Sequence, residues 1–110
     1  MNTNKIAELN DKLRQNIFHS GKDKVVLARE FSLLPFDEQL RILTKVKEFK
    51  DFNEGNNKYG ERDFGKIEHK GEDYFFKIDY YDNDLVFGSE NPADESITTR
   101  VLTVMKASEY

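Results

Sequence analysis

The stretch that decides the fold is YFFKIDYY, which runs from Tyr74 to Tyr81. Every second residue from Tyr74 onward is aromatic or aliphatic, whereas the intervening positions include Lys77 and Asp79. Successive side chains of a β-strand point to opposite faces of a sheet. This alternation therefore predicts a strand with one apolar face and one mixed face.

Turn signals flank this strand on both sides. Lys70-Gly71 precedes it and Asp82-Asn83-Asp84 follows it, and glycine, asparagine and aspartate are residues that tight turns favour. We therefore predict a three-stranded antiparallel meander that extends from Phe64 to Phe87.

Two segments before the meander have apolar residues at spacings of three and four, which is typical of amphipathic helices. They run from Thr3 to about Phe18 and from Pro35 to about Lys50. Between them, Val25–Ala28 is short and contains β-branched residues, which predicts a strand.

After the meander, Asn91-Pro92-Ala93-Asp94 is typical of a helix start, and an apolar stripe follows it. The stripe consists of Ile97, Val101, Val104 and Met105. It predicts a C-terminal helix. The predicted element order is thus α-β-α-β-β-β-α. The apolar face of the antiparallel meander is expected to pack on the helices, which gives a two-layer α+β sandwich.

The composition is that of one folded domain. The chain has 110 residues, and no repeat, low-complexity tract or linker divides residues 1–110. Nine Phe and five Tyr supply bulky core material. Cysteine is absent, which excludes disulfides, thiolate nucleophiles and zinc–thiolate sites.

Charge and hydropathy predict a cytoplasmic protein. The first residues, Met1 to Lys5, lack the apolar core of a signal peptide, and no segment approaches the roughly 18 apolar residues of a membrane span. The formal net charge is −4, and lysines are interleaved with acidic residues along the chain. Because duplex nucleic acid attracts a contiguous basic face, we expect neither nucleic acid nor a membrane as a partner.

Several stretches of the chain stand in the order typical of one known family. They are Val25–Leu27, Tyr59–Gly65, Phe76–Asp82, Gly88–Asp94, Arg100–Thr103 and Glu109–Tyr110. From Ile6 to the C-terminus, the chain resembles the bacterial family known as domain of unknown function 3768. The most specific parts of the resemblance are Tyr59–Gly65 and Lys77–Asp82.

Three positions depart from the family pattern. Glu30 stands where the family usually has Gly, Lys58 stands where it often has Pro, and the family often has another Pro near Ser96. These differences concern loop shape. The resemblance implies no established activity. It implies relatives that are often carried on plasmids or other mobile elements, and hence an accessory or counter-defence role.

The first candidate binding segment is Tyr59–Gly65, because polar groups on loops often form binding sites. Its candidate residues are Tyr59, Glu61, Arg62 and Asp63. The alternative is a structural turn. In that case Gly60 and Gly65 adopt backbone angles that other residues avoid, and Arg62 pairs with a nearby acid.

The second candidate segment is the mixed strand face that carries Lys77, Asp79 and Tyr81. A lysine and an aspartate two residues apart on one face could bind an anion, position a metal, or simply form a cross-strand pair. The Lys70-Gly71 turn folds this strand back on the first segment. We therefore expect one binding surface where Tyr59–Gly65 meets Lys77–Asp82.

We predict no catalytic residue, no cofactor and no metal site. The two histidines, His19 and His69, each precede a turn and lack partners at the spacing of metal ligands, so we expect both to be solvated.

The expected function is that of a small non-enzymatic binding module, whose partner is an unidentified protein or a second copy of the chain. Two alternatives stay open. One is a small enzyme with a cleft formed by Glu61, Asp63, Lys77 and Asp79. The other is an acidic accessory or counter-defence protein that mimics nucleic acid.

Overall fold

The computed structural model describes residues 3–110. The prediction that the chain starts without a signal peptide rests partly on Met1 and Asn2, which lie outside this range. In chain order, the elements are helix α1 (Thr3–Gln15), strand β1 (Lys24–Leu27), helices α2 (Arg29–Ser32) and α3 (Phe36–Lys47), strands β2 (Phe64–His69), β3 (Glu72–Tyr81) and β4 (Thr99–Lys106), and a 3₁₀ helix (Ala107–Glu109). The protein is α+β, as predicted, although the element order differs. No helix within the described range is long and apolar enough to cross a membrane.

The four strands form one mixed sheet in the order β1-β4-β3-β2. β3 runs antiparallel to both β2 and β4, whereas β1 runs parallel to β4. The register places Phe76 of β3 between Gly65 of β2 and Val104 of β4. A Cβ atom at position 65 would overlap the ring of Phe76 and lie 2.8 Å from the ring of Phe49. Glycine is therefore required at position 65 for space rather than for its backbone angles.

The predicted hairpin between β2 and β3 is present. Lys70 and Gly71 form its turn with φ angles of 52° and 81°, which are the left-handed conformations that two-residue hairpin turns favour. Tyr74, Phe76 and Ile78 of β3 are buried, as the alternation predicts.

The predicted C-terminal helix is wrong, because residues 99–106 form β4. The apolar stripe that begins at Ile97 has helical spacing, but the segment is also rich in β-branched residues, which favour strands. Arg100, Leu102 and Val104 alternate into the interior and are buried, whereas Ile97 is exposed. The buried residues of this segment therefore follow the two-residue period of a strand and not the spacing of a helix.

The predicted third strand of the meander is also wrong. The residues after Tyr81 form a loop, which a single bridge between Tyr81 and Gly88 closes. β4 pairs with β3 along the edge that the predicted strand was expected to occupy. The sheet is consequently mixed and is not an antiparallel meander.

The helices pack on one face of the sheet. Buried side chains of α1 and α3, such as Leu13 and Ile42, join the inward-facing residues of the strands in one core. Both helices end slightly earlier than predicted, and the short α2 was not predicted. The opposite face of the sheet carries an aromatic cluster of Phe64, Phe75 and Tyr110, whose ring centroids lie 5.1, 5.3 and 5.5 Å apart.

Candidate functional site

The two predicted segments meet through hairpin pairing. The backbone N–H of Ile78 donates to the carbonyl of Asp63 at 2.8 Å, and Phe64 is the register partner of Lys77. The Tyr80 hydroxyl donates to Glu61 Oε1 at 2.7 Å. The backbones therefore lie together as expected, but the side chains divide between the two faces of the sheet.

On the face of the sheet that packs against the helices, Arg62 connects the loop before β2 to α1 through an ion pair. Its Nε lies 3.0 Å from both carboxylate oxygens of Asp11, and its Nη2 lies 2.7 Å from Asp11 Oδ2. The hydrogen bond to Asp11 raises the pKa of Arg62 against the opposing effect of partial burial. Arg62 has a φ of 55°, and its backbone N–H donates to Asn57 Oδ1 at 2.7 Å. Arg62 thus pairs with an acid, as the structural alternative expects, and that acid lies on a distant helix.

Glu61 belongs to a polar network beneath α1. Asn10 Nδ2 donates to the Glu61 carbonyl at 3.0 Å and to the Tyr80 hydroxyl oxygen at 2.8 Å. Asn10 Oδ1 accepts a hydrogen bond from Arg100 Nε at 2.8 Å. Burial and the hydrogen bond to Glu61 raise the pKa of Tyr80 far above its ordinary value. The phenol therefore stays protonated and acts as a fixed donor.

The surroundings of Asp63 alter the pKa of its carboxyl group. It is partly buried, and this desolvation raises the pKa of its carboxyl group. The negative charges of Glu61 and Asp79 contribute in the same direction. Asp63 thus lies within the electrostatic reach of both candidate segments, although those segments face different sides of the sheet.

The remaining candidates lie on the face of the sheet opposite the helices or on the loop surface. Lys77 Nζ lies 2.9 Å from Asp79 Oδ2, and this hydrogen bond raises the pKa of Lys77. Tyr81 follows on the same strand face and is half-buried. Tyr59 is largely exposed, and the ammonium of Lys58 lies 5.5 Å from the centre of its ring. The seven candidate residues therefore do not form a single cleft.

Sequence reasoning missed several buried polar side chains, among them Asn10, Arg14 and Arg100. Arg14 donates to the carbonyl of Phe49 at 2.9 Å and to Asp11. Its Nε is buried without a hydrogen-bond partner among the described residues. A signal did exist for Arg100. Once residues 99–106 are read as a strand, Arg100 falls on the inward face together with Leu102 and Val104.

The two histidines differ from each other. His19 is exposed, but the prediction of a solvated His69 is wrong because this side chain is 8 % exposed. Lys45 Nζ lies 3.0 Å from His69 Nδ1, and His69 Nε2 lies 3.2 Å from Glu38 Oε1. A lysine can only donate, so Nδ1 accepts and Nε2 carries the proton toward Glu38. Within residues 3–110, no three His, Cys, Asp or Glu side chains are grouped so that they could hold a metal ion.

A second surface feature is the loop from Asp82 to Gly88, which we call the 82–88 loop. Its consecutive side chains Leu85, Val86 and Phe87 are 45 %, 64 % and 72 % exposed. The Asp82 carboxylate accepts hydrogen bonds from the backbone N–H groups of Val86 at 3.0 Å and Phe87 at 3.3 Å. Hydrogen bonds within the loop therefore stabilise a conformation in which three apolar side chains are exposed to solvent.

Comparison with known proteins identifies a family. No curated protein and no solved structure matches the chain. The profile of the family described as "Protein of unknown function (DUF3768)" matches residues 27–109, and the chain therefore belongs to this family.

Proposed function

We propose that this protein is a non-enzymatic binding module that docks on a partner protein through the 82–88 loop. The observation that carries the proposal is the run of Leu85, Val86 and Phe87, which are all exposed although all are apolar. Contiguous apolar side chains at a surface are typical of protein-binding sites, and aromatic residues are enriched at the centres of such sites.

The hydrogen bonding of the 82–88 loop supports this role. The Asp82 N–H donates to the Phe87 carbonyl at 2.7 Å, and Asn83 Nδ2 donates to the Ser96 carbonyl at 2.8 Å. Leu85 has a φ of 59°, a left-handed angle that is unusual for a bulky residue. Strained backbone of this kind persists where surrounding contacts enforce it, often at functional sites. A loop that is ordered before binding loses less conformational entropy when a partner docks.

The polar candidate residues support binding rather than catalysis. Glu61 and Arg62 hold the loop before β2 through Tyr80 and Asp11, and Lys77 pairs with Asp79 on the other side of the sheet. A catalytic site requires polar groups that converge on one reacting atom. Groups that bond to one another in separate pairs on opposite faces of a sheet do not converge in this way.

One observation favours the enzyme alternative. Burial raises the pKa of Asp63, and a carboxylate with a raised pKa is a typical general base. In that reading, Asp63 would act with Glu61, Lys77 and Asp79. The family resemblance supports an accessory role in a bacterial cytoplasm for either function.

The docking proposal can be tested by photo-crosslinking in the cells that carry the protein. A photoreactive amino acid replaces Phe87 in one variant, and it replaces Phe36, which is 73 % exposed on α3, in a matched control. We expect a discrete crosslinked product from position 87 that position 36 does not give. Adding Val86→Ser to the first variant should abolish this product without changing the melting temperature.

Three results would contradict the proposal. The first is no product from position 87, and the second is the same products from both positions. The third is a product with twice the mass of the chain, because it would identify a second copy as the occupant of the loop.

A further inference from the structure

A cavity with a volume of about 530 Å³ lies away from both candidate segments. It opens between α1, the residues that follow α1, and the loop that leads into β4. Leu9 and Leu13 share this lining with three cationic residues, Lys12, Lys22 and Arg100. Cavities of roughly 300–1,000 Å³ with apolar walls and a few polar groups are typical of small-molecule sites.

Arg100 is the unusual member of this lining, because it is only 2 % exposed. Its Nε donates to Asn10 Oδ1, its Nη2 donates to the carbonyl of Pro92, and its guanidinium lies 5.1 Å from the centre of the Tyr80 ring. All three partners are neutral. No ion pair within 4.0 Å among residues 3–110 includes Arg100.

A buried cation without a paired anion lowers the stability of a protein. Burial also lowers the pKa of Arg100, which reflects the same loss of hydration. The charges of Asp23, Glu95 and Glu61 act in the opposite direction from a longer distance. An anion that enters the cavity and contacts the guanidinium would supply the missing partner.

Counted together with Arg100, the charged residues that line the cavity leave a net positive charge. Lys12 lies on the exposed side of α1, and Lys22 Nζ donates to the Glu95 carbonyl at 2.6 Å. Two carboxylates, those of Asp23 and Glu95, also line the cavity. Asp23 is already engaged, because its Oδ1 accepts the backbone N–H of Arg100 at 2.8 Å. Three cations against two carboxylates give a positive cavity in a chain whose formal net charge is −4.

We propose that this cavity binds a small oxyanion, namely the phosphate or carboxylate group of a metabolite-sized molecule, between the guanidinium of Arg100 and the ammonium of Lys12. The planar guanidinium suits such groups because it can donate two parallel hydrogen bonds. The apolar wall of Leu9 and Leu13 accommodates the carbon part of the molecule. No residue of the 82–88 loop lines the cavity, and the inference does not rest on the docking proposal.

The test uses the full chain and two probes, inorganic phosphate and succinate, each titrated against sodium chloride of equal ionic strength. Binding is measured by calorimetry and by the NMR signal of the Arg100 Nε–H group. We expect one or both probes to bind and to shift this signal, and the probe that binds identifies the oxyanion class. Lys12→Met should weaken that binding about tenfold, since it removes one charge-assisted hydrogen bond.

Lys5→Met is the matched control, because Lys5 is exposed on the same helix and does not line the cavity. We expect it to bind the probe as tightly as the unmodified chain does. The inference is overturned if neither probe binds more tightly than chloride, if the Arg100 signal does not respond, or if Lys12→Met and Lys5→Met have equal effects. Because Lys12 is exposed, its substitution tests the site even if Arg100 variants fail to fold.

Discussion

Asp11 and Arg62 stand 51 positions apart in the chain and form a two-point ion pair, with Arg62 Nη2 2.7 Å from Asp11 Oδ2. The same carboxylate accepts a hydrogen bond from the buried Arg14. One aspartate carboxylate thus pairs with two guanidinium groups where α1 meets the loop before β2.

Replacing that carboxylate should destabilise the fold. We expect Asp11→Ala to lower the free energy of unfolding by about 3 kcal/mol, because it leaves the buried Arg14 without an anion. The measurement is urea unfolding at neutral pH. Asp51→Ala, at an exposed position in the loop that follows α3, is the control. We expect it to change the free energy of unfolding little. A loss below about 1 kcal/mol in Asp11→Ala would show that the pair contributes no more than a surface ion pair.

Asp63 should make the protein less stable at neutral pH. Its pKa is raised above the ordinary value of 3.8, so the folded state binds this proton more tightly than the unfolded state does. The ionised carboxylate therefore opposes folding above its folded pKa, and this effect disappears as the pH falls through that pKa toward 3.8. We expect Asp63→Asn to be more stable than the unmodified chain at pH 7, with an advantage that vanishes in acid.

A series of urea unfolding experiments across this pH range measures the effect. Asp84→Asn, which alters an exposed aspartate, provides the control. We expect no stability advantage over the unmodified chain at pH 7 that vanishes in acid. If Asp63→Asn is the less stable protein at pH 7, its carboxylate is held by favourable contacts and the sign of the argument is wrong.

Substitutions in β4 can distinguish the strand from the predicted helix. Leu102 is buried on the inward face, whereas Thr103 points to the opposite face. We expect Leu102→Ala to lower the free energy of unfolding by about 2–5 kcal/mol and Thr103→Ala to lower it by less than about 1 kcal/mol. In the predicted helix, Leu102 lies outside the apolar stripe. Similar losses in the two variants would therefore count against the strand.

The ion pair on the outer strand face should contribute little to stability. The side chains of Lys77 and Asp79 are 41 % and 40 % exposed, and exposed pairs contribute roughly 0–1 kcal/mol. We expect Asp79→Ala to unfold at nearly the same urea concentration as the unmodified chain. A loss above about 2 kcal/mol would identify the pair as part of the architecture. If Asp79→Ala is stable but gives no crosslink at Phe87, the outer face takes part in docking.

The sequence predicts the hairpin well because its information is local. The alternation from Tyr74 to Tyr80 specifies the buried face of β3, and Lys70-Gly71 specifies the turn. β4 is predicted as a helix because Val101 and Val104 have helical spacing, although Leu102 and Val104 follow the two-residue period of a strand. What decides between these periods is pairing with β1 and β3, and pairing partners are distant in the chain.

The candidate site shows the same division between local and distant information. Lys77 and Asp79 are neighbours on one strand face, and their pair follows from the two-residue period. The partner of Arg62, by contrast, lies on α1, and no local pattern identifies Asp11. Arg100 was overlooked for a related reason, since its burial depends on the strand that was predicted as a helix.

The position of β4 between β1 and β3 has a consequence for synthesis. The ribosome delivers β4 after every other strand, yet β4 is the hydrogen-bonding neighbour of both β1 and β3. Until it emerges, the Lys24–Leu27 segment has no sheet to join, and the Glu72–Tyr81 strand keeps one unpaired edge. Such edges and apolar faces are the features of nascent chains that invite aggregation and that chaperones bind. A stop codon in place of Thr99, which removes β4 and the residues after it, should therefore produce an insoluble polypeptide rather than a shortened, folded protein.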